Sequence, residues 1–201
     1  MWDLGIIDGV TTNPTLATQA GVDYKKAVYE ILEIVDGDVN LEVLGTKHSE
    51  MVGEARNLAQ IHPNVVVKLP TTENGLAALS ELATDGIRIN MTLVFDPNQA
   101  LLCAKLGAYI ISFFDGRLED LGENAIDTFA ETKQILTNYD FASQLLFASV
   151  RSPLHVKQAA LVGADIATCP IDVLEKLVKH PLTDKGLEKF LDDFKKSKQK
   201  P

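Results

Sequence analysis

The sequence predicts an α/β protein whose parallel strands curl into a barrel, and three observations carry that prediction. Short β-branched runs alternate with helical stretches along the whole 201-residue chain, the order of parallel βαβ units. Nothing after the first strand resembles the GxGxxG or P-loop glycines expected of a nucleotide-binding open sheet. Polar side chains also gather at strand ends: Asn13, Glu42, Lys68, Asn90, Thr92, Ser112, Ser149 and Arg151 lie in or just after the last residues of apolar strands. Six different strands contribute them, the pattern of a TIM-type (β/α)8 barrel whose site is assembled on its C-terminal face.

The elements follow in order. IIDGVTTN (6–13) opens as a strand, and DYKKAVYEILEIV follows as a helix. VNLEV (39–43) and NVVVKLP (64–70) are strands separated by the helix SEMVGEARNLAQI. NGLAALSELATD leads to the strand IRINMTLVF (87–95), and NQALLCAKLG leads to AYIISFF (108–114). The loop DGRLED and the helix AIDTFAETKQILTNY precede QLLFASV (144–150); PLHVKQAALVG then leads to ADIATCP (164–170). Gly86, Gly107 and Gly163 close helices just before strands, the usual C-terminal stop. Within strands, Val66 shares a face with Lys68, Asn90 with Thr92, and Ser149 with Arg151. A last helix over about 183–197 places Leu187, Phe190, Leu191 and Phe194 at i, i+3, i+4 and i+7. No linker or low-complexity segment divides residues 1–201, so one barrel domain is expected. Seven strands are found where a closed barrel of this type needs eight. Because the first candidate begins only five residues into the chain, the absent strand is expected to be the N-terminal one.

Composition narrows the function. A net charge of −9 argues against nucleic acid or an anionic membrane as the main partner, while leaving room for a local basic pocket. MWDLGIIDGV lacks the basic and apolar regions of a signal peptide, and no run reaches transmembrane length. Cys103 and Cys169 form neither a CxxC pair nor a zinc spacing, which suits a reducing cytoplasm. His48, His62, His155 and His180 are scattered without metal-ligand spacing, so no metal site is expected.

Lys68 ends an apolar run, where an ammonium is costly. Either the side chain snorkels to water or it is wanted neutral, since burial favours the uncharged, nucleophilic form of an amine. Glu42 alone reads as a strand-end salt bridge, Thr92 as β-branched filling, and Asn13 before Pro14 as a turn. Arg117 alone reads as the partner of Glu119 or Asp120.

Taken together, GIIDGVTTNPTL, VVVKLPTTENGL, INMTLVFDPNQALLCAKLGA, GRLEDLG, ASVRSPLHV, GADIAT and HPLTDKGLEKFLDDF resemble the small-subunit transaldolases, a family that includes fructose-6-phosphate aldolase. The resemblance spans essentially the whole chain, in order and at family spacing. It implies a cofactor-free, class I aldol mechanism on sugar phosphates in the pentose phosphate pathway of the cytoplasm, and a homo-oligomer, pentamer or decamer, in which the last helix reaches a neighbour. VVVKLP matches the family's Schiff-base lysine, assigning Lys68 as nucleophile. Glu42 and Thr92 match the pair that holds the water used in proton transfers, and Asn13 and Asn90 match residues that bond substrate hydroxyls. Ser112, Arg117, Ser149 and Arg151 are expected on the substrate phosphate, where Arg forks suit phosphate oxygens.

Two positions point to transaldolase, which transfers a dihydroxyacetone unit from sedoheptulose 7-phosphate or fructose 6-phosphate to an aldose phosphate. The family's transaldolases carry Glu and Phe where its fructose-6-phosphate aldolases carry Gln and Tyr; here these are Glu42 and Phe114. Arg151 in SVR follows the transaldolase form as well. The alternatives are a fructose-6-phosphate aldolase, or a truncated barrel of weak activity that only binds sugar phosphates. SFFDGR departs from the usual Ser-Pro-Phe-Val-Gly-Arg, making Phe113 and Asp115 unusual. The family's first strand also carries a catalytic aspartate that this chain is expected to lack, and Asp8, which opens a strand, lies at the wrong end to replace it.

Overall fold

The computed structural model describes residues 4–13, 15 and 21–197. Its strands are β1 (Gly9–Thr11), β2 (Asp38–Glu42), β3 (Val65–Pro70), β4 (Ile89–Val94), β5 (Ile110–Phe113), β6 (Gln144–Phe147) and β7 (Ile166–Ala167). Each pairs in parallel with its sequence neighbour, giving one sheet in the order β1 to β7. The helices are α1 (Tyr24–Ile34), α2 (His48–Ala59), α3 (Glu73–Thr84), α4 (Pro97–Lys105), α5 (Asp115–Asp120), α6 (Ala125–Asn138), α7 (Pro153–Leu161), α8 (Ile171–Leu177) and α9 (Pro181–Ser197). The sheet curls into an incomplete TIM-type α/β barrel, and no β1–β7 pairing occurs among the described residues.

Alternation along the strands builds two cores. In β3, Val65, Val67 and Leu69 join the layer between sheet and helices, with Leu41, Met91, Phe113 and Phe147 from other strands. Val66 faces the other way and packs with Ile110, Leu146 and Ala148 inside the curl. That second face carries the polar residues, because the side-chain period of two puts Lys68 on the same side as Val66.

The helix starts are cut sharply, and this fixes where each strand's C-terminal end opens. Thr72 caps α3 by accepting from the Gly75 amide at 3.1 Å. Asp96 and Ser152 cap α4 and α7, each followed by proline at the first helical position. Gly86, Gly107 and Gly163 take left-handed φ values, as helix stops should.

The structure differs from the sequence expectations in four places. DGRLED forms the short helix α5 instead of a loop. Its high charge reads as a solvated turn, and six residues are too few to show a helical period. IDVLEKL, given no element from its sequence, forms α8, whose seven residues are likewise too few to show a helical period. The strands expected over 6–13 and 164–170 shrink to β1 and β7, which have only three and two paired residues. Each has a ladder partner on one side only, so pairing stops sooner. Finally, α9 begins at Pro181, two residues before the expected start, as proline suits a first turn.

A cavity of about 590 Å³ lies along the seam between β1 and β7, lined in part by Asp8, Gly9, Asn40, Leu146, Ile166 and Leu174. Asp8 stands just before β1, at the end opposite the polar cluster described below. Among the described residues no helix is long and apolar enough to cross a membrane.

Candidate active site

Strand register brings the polar residues together. Glu42 on β2 lies beside Lys68 on β3, and Lys68 beside Asn90 on β4. Lys68 is 3% exposed, yet its amine is not left among valines. Nζ donates to Glu42 Oε2 at 3.0 Å and to the Thr12 carbonyl at 3.2 Å. The ion pair is largely buried, with the two side chains 4% and 19% exposed. Removing one member of such a pair typically costs about 3–5 kcal/mol, because the other charge is stranded. Glu42 is thus the reason this chain can carry a lysine here.

Below the pair runs a buried polar ladder. Asn90 donates from Nδ2 to Asn40 Oδ1 at 2.9 Å, and Ser112 donates from Oγ to Asn90 Oδ1 at 2.8 Å. All three residues are at most 4% exposed. Ser112 therefore lies deep in the curl with its hydroxyl proton given to Asn90. Asn40 is a site residue that sequence reasoning missed. The signal was present: in VNLEV it stands two residues before Glu42 and so shares its face.

Thr92 sits where β4 changes register, between Met91 and Val94, next to Leu93 at φ 60°. Such bulges re-aim side chains. Its Oγ1 is buried and has no hydrogen-bond partner among the described residues. Asn13, two residues beyond β1, is half-buried.

The two arginines occupy the rim and share it with α5. Arg117 stacks its guanidinium 4.9 Å from the centroid of Phe114, whose ring also lies 5.8 Å from Phe95 and packs on the inner core. Neither Glu119 nor Asp120 takes Arg117 as its hydrogen-bonded partner. Asp120 is engaged by Arg151, NH1 on Oδ1 and NH2 on Oδ2, the latter at 2.6 Å. Arg151 beside it holds the Asp120 carboxyl below the usual carboxylate range, with a smaller contribution from Arg117. The Arg151 amide donates to His155 Nδ1 at 3.3 Å, while His155 Nε2 lies 3.1 Å from Glu119. Ser149 adopts φ 64°, unusual for a residue with a side chain and typical of functional turns. Gly116 is required here: a Cβ would come 2.4 Å from the Ser149 carbonyl oxygen.

Asp115, the unusual residue of SFFDGR, is 1% exposed with Oδ1 unbonded in the protein. Burial, reinforced by the Glu119 charge, pushes its carboxyl up to about 7. It shares a helix face with Leu118 and Glu119. Leu118 belongs to the core outside the sheet, so this face turns away from Lys68.

A curled sheet of seven parallel strands, with a buried lysine–carboxylate pair at its strand ends and two arginines on the rim, defines the class: an α/β protein with an incomplete TIM-type barrel. The family model described as Transaldolase/Fructose-6-phosphate aldolase matches residues 1–200. A probable transaldolase of Aquifex aeolicus is 51% identical over 197 residues, covering 98% of this chain and 91% of that protein. One from Brucella anthropi is 52% identical over 198 residues, with the same coverage. One from Geobacter sulfurreducens is 49% identical over 192 residues, covering 96% and 90%. The chain belongs to the transaldolase/fructose-6-phosphate aldolase family.

Proposed function

We propose that residues 1–201 act as one catalytic barrel that transfers a dihydroxyacetone unit between sugar phosphates, as a transaldolase. The observation that carries this reading is the buried Lys68 amine, 3.0 Å from Glu42 on the inner face of the sheet. Lys68 attacks the C2 carbonyl of a ketose phosphate. Loss of water from the carbinolamine gives a protonated Schiff base, and Glu42 exchanges the protons that this step moves. The C3–C4 bond then breaks as the C4 hydroxyl gives its proton to water: the bond electrons pass into the iminium, leaving an enamine of dihydroxyacetone on Lys68, and C4 departs as the aldehyde carbon of an aldose phosphate. The enamine attacks the aldehyde carbon of an acceptor, and hydrolysis frees the product and the amine.

Thr92, with its unpaired hydroxyl, would join Glu42 in holding a water for these transfers. Asn90 and Asn13 would bond substrate hydroxyls, with Asn40 fixing Asn90. Arg117 and Arg151 would hold the phosphate, with Ser149 beside them; Ser112 acts on Asn90 and reaches the substrate only by releasing it. Glu42 and Phe114 favour transfer over simple aldol cleavage, since the resemblance assigns these residue types to transaldolases. We further propose a cytoplasmic homo-oligomer acting in the pentose phosphate pathway.

Transfer is tested by supplying fructose 6-phosphate with erythrose 4-phosphate. Sedoheptulose 7-phosphate and glyceraldehyde 3-phosphate should form, and fructose 6-phosphate alone should release little dihydroxyacetone. Release of dihydroxyacetone at the same rate with and without acceptor would favour the aldolase reading instead.

A further inference from the structure

We propose that Asp120 is a built-in competitor of the anion site, occupying the fork of Arg151 that a substrate phosphate needs and thereby setting how readily the site takes phosphate. The inference rests on the phosphate reading of Arg117 and Arg151 and assigns a specificity role to a third residue on the same rim.

Both carboxylate oxygens of Asp120 are used, one on each terminal nitrogen of Arg151. The planar guanidinium fork that accepts a carboxylate in this way accepts a phosphate equally well. The two anions are therefore alternatives for the same N–H groups. Asp120 is also within the field of Arg117, so its charge stands where both rim arginines attract an anion.

The surroundings fix everything except the arginine arm. Gly116 lets α5 lie directly against Ser149, and filling that space would force the two apart. His155 holds the Arg151 backbone amide and is itself held by Glu119 of α5. Asp120 at the end of α5 is thereby kept near the loop that carries Arg151. The Arg151 and Asp120 side chains remain 50% and 54% exposed. An ion pair this exposed is weak. A dianionic phosphate, also anchored through the rest of its sugar, can displace the carboxylate, whereas a loosely held anion gains less by doing so.

The test uses the full chain and inorganic phosphate, with binding read by calorimetry. Asp120→Asn keeps the side-chain shape and removes its charge; Asp120→Glu keeps the charge. Asp127→Asn removes a carboxylate from the neighbouring helix α6 and controls for the general field. Asp120→Asn should tighten phosphate binding about two- to fivefold, the size expected for releasing an exposed ion pair. It should lower KM for fructose 6-phosphate by a similar factor, more than it changes kcat or the KM for dihydroxyacetone. Asp120→Glu should stay near the parent, and Asp127→Asn should move phosphate affinity less than Asp120→Asn does. Unchanged or weaker phosphate binding in Asp120→Asn would overturn the competitor role, as would an equal gain in Asp127→Asn. Arg151→Ala separates the two levels. If it leaves phosphate binding intact, the anion-site reading itself fails. If it abolishes binding while Asp120→Asn gains nothing, only the competitor role fails.

Discussion

At Asp115 a carboxyl is almost fully buried, with one oxygen unbonded in the protein and an acidic neighbour one turn away at Glu119. Its consequence is a pH dependence of stability with a definite sign. Below pH 3.8, the ordinary value, the folded and unfolded chains are both protonated and the site costs nothing. As pH rises from there to about 7, the unfolded chain sheds a proton that the folded chain keeps, so stability falls. A shift of this size corresponds to a loss on the order of 4 kcal/mol, complete above the folded value. Asp115→Asn removes the titration. Urea unfolding should show the variant gaining on the parent by about 2–3 kcal/mol between pH 5 and pH 8. A difference that stays flat over that interval would mean the carboxyl is ionised in the folded protein. Little of this was legible beforehand. SFFDGR shows that Asp115 is unusual, but DGRLED reads as solvated charge, and burial is decided by how α5 packs, with Leu118 in the core and Gly116 against Ser149. The arginine pairing was hidden for the same reason: Asp120 has two guanidiniums within reach, and sequence distance favours Arg117 over Arg151.

At the scale of elements, α9 is the outlier. It runs for 17 residues and buries none of them. Leu187, Phe190, Leu191 and Phe194 are 58%, 72%, 52% and 43% exposed along the face that the sequence pattern predicted. Packing on its own barrel is thus not what this face does. A contiguous apolar stripe on a helix is a mark of association, and each such side chain gains about 1.5–3 kcal/mol when fully covered. We expect a second copy of the chain to cover it, so deletion from Thr183 onward should lower the native mass seen by light scattering. An unchanged mass would remove α9 from the assembly. The pattern of α9 was readable because it spans four turns. By contrast α5 and α8 were not, because one or two turns give no period to read.

For the molecule as a whole, the strand runs and their order were legible and the register between them was not. VVVKLP, INMTLV and IISF are too rich in β-branched and aromatic residues to be anything but buried strands, and parallel order put all their C-terminal ends on one face. Lys68, Glu42, Asn90 and Thr92 are therefore expected on one face from the sequence alone. Which residues touch across the curl depends on register and shear, which no single strand encodes. The ladder from Asn40 through Asn90 to Ser112 therefore emerged only in three dimensions. So did the capture of the Lys68 amine by Glu42 and the Thr12 carbonyl, since the sequence marks Glu42 as a strand-end salt bridge without identifying its partner. On the proposed mechanism, this one buried amine forms the covalent link to substrate. The direct measurement is incubation with fructose 6-phosphate and borohydride, followed by digestion and mass spectrometry. The reduced sugar adduct should lie on the peptide containing Lys68 and vanish in Lys68→Ala. An adduct on another lysine that survives Lys68→Ala, or turnover with no trapped adduct at all, would contradict the account.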